Sequence, residues 1–239
     1  MTTYAPLDNL KAVDDGIWVV DSGPLYVGGA IPLPVRMTVM QCGKGGMVLH
    51  SPTRYDPNLR QAIESVAPIR HIVAPNSAHW SFVKNWKECV PDALVWAAPG
   101  LRQRRQIKKA RIPWHGDLGP QSQARFAPDI DQIEVPGIGG FCEVCFFHRK
   151  SQSLVMTDLI QRLDDHHQSA MMQLFSNLIG THDRAPIYLR VVVRLKGEPA
   201  KDAARQLVAL EPKRVIFSHG QYFDHEAPAR LRKSLGWLV

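Results

Sequence analysis

The sequence predicts an α/β fold in which two β-sheets pack against each other and helices cover their outer faces. Short apolar or β-branched runs bounded by Gly and Pro recur in both halves of the chain, and segments of helical period are interleaved with them. No repeat, low-complexity segment or evident linker divides the 239 residues, so the chain reads as one domain spanning 1–239. With 45% hydrophobic and 21% charged residues it can bury a sizeable core and shows no sign of disorder.

The first third reads as β structure. GIWVVDSGPL is a strand, and in PVRMTVMQCGKGGMVLHSP the glycines Gly43, Gly45 and Gly46 punctuate two apolar runs as a hairpin turn would. PNLRQAIESVAP follows as a helix with Leu59, Ile63 and Val66 on one face. HIVAPN is a short strand, HWSFVKNWKECV a helix starting at or just after His79, and ALVWAAP a strand before a basic helix. In the second half QIEVPG, CEVCFFHRK and SLVMTD read as strands, and LDDHHQSAMMQLFSNLIG and EPAKDAARQLVAL as helices, the latter with an acidic first turn. RVIFSHG is the last strand, ending in His219 and Gly220.

Several function classes lack support. No apolar run approaches the ~18 residues needed to span a bilayer, and the start has no basic-then-apolar layout. A cytoplasmic protein is therefore expected. The four cysteines are too few for a disulfide framework, and Cys142 and Cys145, three apart on a strand, face opposite ways and cannot easily share a metal or a disulfide. The net charge of +7 is partly local, with Arg102, Arg104, Arg105, Lys108, Lys109 and Arg111 falling within ten positions. Such a run can meet phosphates or an anionic membrane, but its mixed spacing wraps the charge around a helix, as on a solvated face, and no aromatic interleaving supports nucleic-acid binding. GIGGF opens a strand and fails the dinucleotide pattern, and no G-x-S-x-G elbow is present.

Rigid sheets aim side chains from the loops at their strand ends. His79, Asp158 and His219 each stand just after a buried-looking strand. Taken singly, each is also explained as a hydrogen-bonded loop residue or a helix cap. Together, two imidazoles and a carboxylate form a candidate ligand set for zinc or iron, with a position left open for catalysis.

VPGIGGFCEVCFFHRKSQSLVMTDLI and VIFSHG resemble segments of the metallo-β-lactamase superfamily: a Pro-Gly-His turn, two strands and a closing Gly-Asp, then a final strand with His-Gly. IVAPNSAHWSF occupies the place of its His-x-His-x-Asp-His loop. The resemblance covers most of the chain and is best to a branch catalogued as a domain of unknown function. It implies a four-layer αββα sandwich. It also implies a depleted metal site: Ser77, His79, Ser81 and Phe82 fall at the four loop positions, and Ile138 replaces the His of the turn. The implied survivors are His79 from the first metal site, Asp158 from the bridging position and His219 from the second. Glu143, His50, His166, His167 and His182 are possible helpers. Glu143 reads equally as an inward carboxylate or as the solvent-facing member of its strand, and the polar stretch of Asp164, Asp165, His166 and His167 as a plain loop or helix face.

Two functions follow as expectations. One is a mononuclear hydrolase holding one zinc, iron or manganese ion and acting on a small ester, thioester or phosphoester. The other is a non-catalytic module, without metal, that binds a small molecule or regulates. Exposed Trp or Met residues would suit a homodimer interface.

Overall fold

An apolar layer joins the faces of two sheets in the computed structural model, which describes residues 4–27, 31–43, 45–162 and 180–239. The first sheet has seven strands in sequence order: β1 (Lys11–Asp14), β2 (Ile17–Val27), β3 (Ile31–Cys42), β4 (Gly46–His50), β5 (Ile69–Ala74), β6 (Leu94–Ala97) and β7 (Gly116–Asp117). It begins as an antiparallel meander and turns parallel from β4 onward. Gly43 and Gly45 take positive φ in the β3–β4 turn, as expected of the glycine cluster there. The second sheet is built from β8 (Ile130–Pro136), β9 (Cys142–His148), β10 (Ser153–Val155) and β13 (Arg214–Ile216), in the order β13-β10-β9-β8. A small ribbon pairs β11 (Gln161–Arg162) with β12 (His182–Arg184).

Period-two alternation assigns each strand residue to a layer. On β4, Met47 and Leu49 face the helices α1 (Pro57–Glu64), α2 (Val83–Cys89) and α3 (Arg105–Ala110), whose Leu59, Ile63, Trp86 and Ile107 fill the same cluster. Val48 turns inward to meet Val144, Phe146, Val155 and Ile216 of the other sheet. Phe126 of α4 (Pro120–Phe126) closes that middle layer. On the far side, α5 (Ile187–Arg194), α6 (Glu198–Ala209) and α7 (Ala227–Leu235) lay Leu189, Val193, Leu207 and Leu231 against Cys145 and Leu154. Helix, sheet, sheet and helix make the four-layer αββα sandwich. Cys142 faces the middle layer and Cys145 the helices, and both thiols are free.

Some boundaries differ from the sequence reading. Asp56 caps α1 by accepting from the amides of Asn58 and Leu59, but the helix ends at Glu64, so Val66 lies beyond it and is 47% exposed. The helix expected at His79 starts only at Val83, because the side chain of Asn76 takes up the amides of Ala78 and His79 in a turn. SLVMTD leaves the ladder after Val155, since the amides of Thr157 and Asp158 donate to the Glu143 carboxylate instead of to a neighbouring strand. Glu198 does stand in the first turn of α6. The helix expected over 163–180, with His166 and His167, lies outside the described residues apart from its final glycine. Among the described residues no helix is long and apolar enough to cross a membrane.

His71 of β5 is buried, accepts a hydrogen bond from Trp96 Nε1 at 3.1 Å and meets the Phe126 ring edge-on. Burial, helped by the nearby Arg125, His115 and Arg70, pushes its pKa down to about 4. The unfolded chain, with a histidine near 6.5, therefore binds more protons than the folded one between these values. This contribution to stability is complete above pH 6.5 and is lost as the pH falls towards about 4, at up to ~1.4 kcal/mol per pH unit. Urea unfolding of the wild type should show that slope, and His71→Gln should flatten it; an equally steep slope in the variant would contradict the assignment.

Candidate metal centre

The strand register brings the three candidates together. β10 and β13 are parallel neighbours with Val155 opposite Ile216, and each chain runs three residues further, to Asp158 and His219. Both side chains thus emerge at one edge of the second sheet, at the carboxyl ends of its parallel strands, where sites in such sheets form. His79 reaches the same point from the loop after β5, across the middle layer. One ligand atom from each of His79, Asp158 and His219 can be chosen so that all lie within 4.8 Å of one another. His79 Nε2 is 3.2 Å from Asp158 Oδ2, and His219 Nε2 is 3.3 Å from Asp158 Oδ1.

Asn76, fully buried, organises this edge. Its amide nitrogen, with two hydrogens to donate, lies 2.7 Å from Asp158 Oδ2, 2.8 Å from Thr157 Oγ1 and 3.1 Å from Glu143 Oε2, so these three acceptors share it. Its amide oxygen accepts from the backbone of Ala78 and His79, so one side chain sets both the His79 loop and the Asp158 carboxylate. Gln161 Nε2 adds a donor to Asp158 Oδ1 at 2.8 Å. The far ring nitrogens are held as well: His79 Nδ1 is 2.6 Å from Ser51 Oγ, and His219 Nδ1 donates to the Pro34 carbonyl at 2.7 Å. The backbone around His219 is tied by Arg36, which is 3% exposed, pairs with Asp21 at 2.7 Å and donates to the carbonyls of Phe217 and Gly220. Gly220 has φ +109° and no room for a Cβ, which would fall 1.7 Å from the Arg162 carbonyl oxygen.

The local electrostatics follow from these contacts. Burial alone would raise the pKa of Asp158, but His79 and His219 outweigh it and hold the carboxyl well below its usual range. Burial likewise works to lower the pKa of His79, and the Asp158 carboxylate reverses this to a net rise. Glu143 is pushed up, first by burial and then by the charge of Asp158. His50, buried against Phe146, is pushed down to about 3 by burial and stays neutral.

The donor set suits a divalent cation. The Pro34 carbonyl can only accept, so His219 Nδ1 carries a proton, and its other ring nitrogen, Nε2, faces an Asp158 oxygen. A ring nitrogen and a carboxylate oxygen facing each other at 3.3 Å need a proton or a cation between them. Two imidazole nitrogens and a carboxylate, each fixed from behind by a second partner, are ligands that zinc, iron or manganese accept.

Other residues from the sequence reading take different places. Glu143 is fully buried, which excludes the solvent-facing alternative; its carboxylate pins the turn that presents Asp158. His50 precedes Ser51 and is buried, with Nε2 unpartnered. His182 is exposed on β12. Phe82 packs against the core under α2, and Ile138 is 42% exposed on a loop tied to α5 through the Val192 carbonyl. In the basic run, Arg102 pairs with Asp117 at 2.6 Å while the others wrap around α3 and its flanks. Ser51, Asn76, Gln161 and the Pro34 carbonyl were not anticipated. The one sequence signal for Asn76 was an Asn at a strand end three residues before His79, a spacing suited to a side-chain turn.

Fold and cluster together define a protein of the metallo-β-lactamase fold. Residues 14–192 match the family described as a domain of unknown function (DUF4336), and the chain belongs to that family. Among solved structures it is similar to the metallo-β-lactamase FIM-1 from Pseudomonas aeruginosa in its mono-zinc form, at 17% identity and a TM-score of 0.61 over 94% of this chain and 93% of that one. A metallo-β-lactamase from Pontibacter korlensis is 14% identical with a TM-score of 0.59, covering 95% and 98% of the two chains. One from Erythrobacter litoralis, with beta mercaptoethanol in its active site, is 12% identical with a TM-score of 0.62, covering 94% of each. At these identities the likeness shows the fold alone. No curated protein matches the chain.

Asn76→Ala should be severe, because it strips donors from two buried carboxylates and releases two loop amides. A loss of about 3 kcal/mol or more is expected in denaturant unfolding; a loss under about 1 kcal/mol would show that Asn76 does not organise the site.

Proposed function

We propose that the chain is a mononuclear metal-dependent hydrolase of a small ester, thioester or phosphoester, with His79, Asp158 and His219 holding one zinc, iron or manganese ion. The observation that carries the reading is the convergence of His79, Asp158 and His219, with His219 held by Pro34 at Nδ1 so that Nε2 faces Asp158. The positions that resemble the remaining family ligands are Ser77, Ser81, Phe82 and Ile138, of which Phe82 is half-buried against the core and Ile138 lies on an exposed loop. One ion, not two, is what this set supports. The FIM-1 structure is itself described as a mono-zinc form.

When bound, such a cation polarises a carbonyl or phosphoryl oxygen and makes water more acidic. The chain's own residues supply the positioning. Asn76 and Gln161 hold the Asp158 carboxylate, Ser51 and Pro34 fix the two imidazoles, and the buried setting of His50 and Glu143 keeps the floor of the site dry. Three protein ligands leave a coordination position for substrate or water.

A second reading, a non-catalytic module that binds a small molecule, is favoured by one feature. Asp158 already accepts from Asn76 and Gln161, so the carboxylate is partly satisfied without any ion.

Metal analysis of the purified chain separates the two. About one zinc, iron or manganese per chain is expected, lost in His79→Ala and His219→Ala together with any ester or phosphoester hydrolysis. A chain that stays metal-free after reconstitution, yet is stabilised by a small molecule it does not turn over, would support the second reading.

A further inference from the structure

Ser51 does more at this site than the metal reading asks of it. It follows β4 directly with φ +56°, in the left-handed region that residues other than glycine rarely adopt and that clusters at functional sites. Its hydroxyl lies 2.6 Å from His79 Nδ1, and His79 Nε2 lies 3.2 Å from Asp158 Oδ2. Serine, imidazole and carboxylate thus stand in hydrogen-bonded series.

The two histidines differ in what backs them. The Pro34 carbonyl behind His219 accepts and nothing else, whereas a hydroxyl both donates and accepts, so His79 alone is free to exchange its tautomer. With a cation on Nε2, the proton of His79 sits on Nδ1 and points at Ser51. Without one, Nε2–H donates to Asp158, and the lone pair of Nδ1 receives the Ser51 O–H. That second arrangement has the roles of nucleophile, base and orienting carboxylate, with the imidazole turned end for end relative to the familiar serine hydrolase triad.

We propose that in the metal-free chain Ser51 is an acyl-accepting nucleophile, with His79 as its base and Asp158 holding His79, so that the same site carries a second, metal-independent ester chemistry. Ser51 Oγ bonds to the carbonyl carbon of an activated ester as its proton passes to His79 Nδ1. The bond to the leaving alcohol breaks, and that alcohol departs with the proton. Water then adds to the acyl-serine, giving a proton to His79, and the Ser51–acyl bond breaks as the proton returns to Ser51 Oγ. Asp158 stays ionised throughout. Nothing in this sequence requires that the chain ever binds a metal.

The test mixes full-length, chelator-treated protein with p-nitrophenyl acetate. The expected result is a burst of about one nitrophenol per chain, with the acetyl group mapped to Ser51 by peptide mass spectrometry. Ser51→Ala and His79→Ala, each checked for folding by circular dichroism, should lose the burst at least tenfold. Should either variant fail to fold, the acetyl map of the wild type decides. No burst, or acetylation confined to lysines, overturns the proposal even if the chain binds zinc. A burst that persists unchanged with one zinc bound also overturns it, because His79 would not then be the base. A Ser51-mapped burst in a chain that never takes up zinc supports it while removing the metal reading, so the two fail separately.

Discussion

Asp158 holds a negative charge at the seam between two sheets, with its side chain 11% exposed. An isolated carboxylate there would be protonated or would cost several kcal/mol. The structure answers with two neutral donors, Asn76 and Gln161, and two imidazoles whose inner nitrogens face the two oxygens. Glu143 compounds the demand, since a second buried carboxylate lies close enough to share Asn76. The backbone amides of Thr157 and Asp158 meet that demand, and in doing so end β10 and create the turn on which Asp158 sits.

The same constraint explains how distant parts of the chain are tied to one point. The first sheet supplies Ser51, Asn76 and His79 from the ends of β4 and β5, and the second supplies Asp158 and His219 from the ends of β10 and β13. Arg36 crosses between them, bonded to Asp21 within its own sheet and to the carbonyls around His219 in the other. Tyr4 and Tyr222 place their rings against its guanidinium. With so many groups fixed from behind, the inner nitrogens of His79 and His219 have little freedom to turn away from Asp158.

Much of this was legible in the sequence because strand ends are local features. His79, Asp158 and His219 each follow a short apolar run, and the parallel pairing of Val155 with Ile216 does the rest. What stayed hidden depends on contacts far apart in sequence. Ser51 meets His79 across 28 positions and Asn76 meets Asp158 across 82, and neither Ser nor Asn carries a signal that separates a turn residue from a site residue. Glu143 was undecidable because one carboxylate in an apolar strand looks the same whether it faces solvent or two buried amides. α5 was missed outright: its three consecutive valines favour a strand, and only packing of Leu189 and Val193 against the second sheet's outer cluster makes it a helix. The late start of α2 has the same origin, since a side-chain turn made by Asn76 competes with the helix for the amides of Ala78 and His79.

The central claim is that the pocket of charge around Asp158 is built for one cation. Anomalous diffraction at the zinc edge, from crystals of the full chain grown with excess zinc, tests it most directly. The account predicts one strong peak at ~2.0–2.2 Å from a nitrogen of His79, an oxygen of Asp158 and Nε2 of His219. An empty site at saturating zinc, or two peaks flanking Asp158, would contradict it.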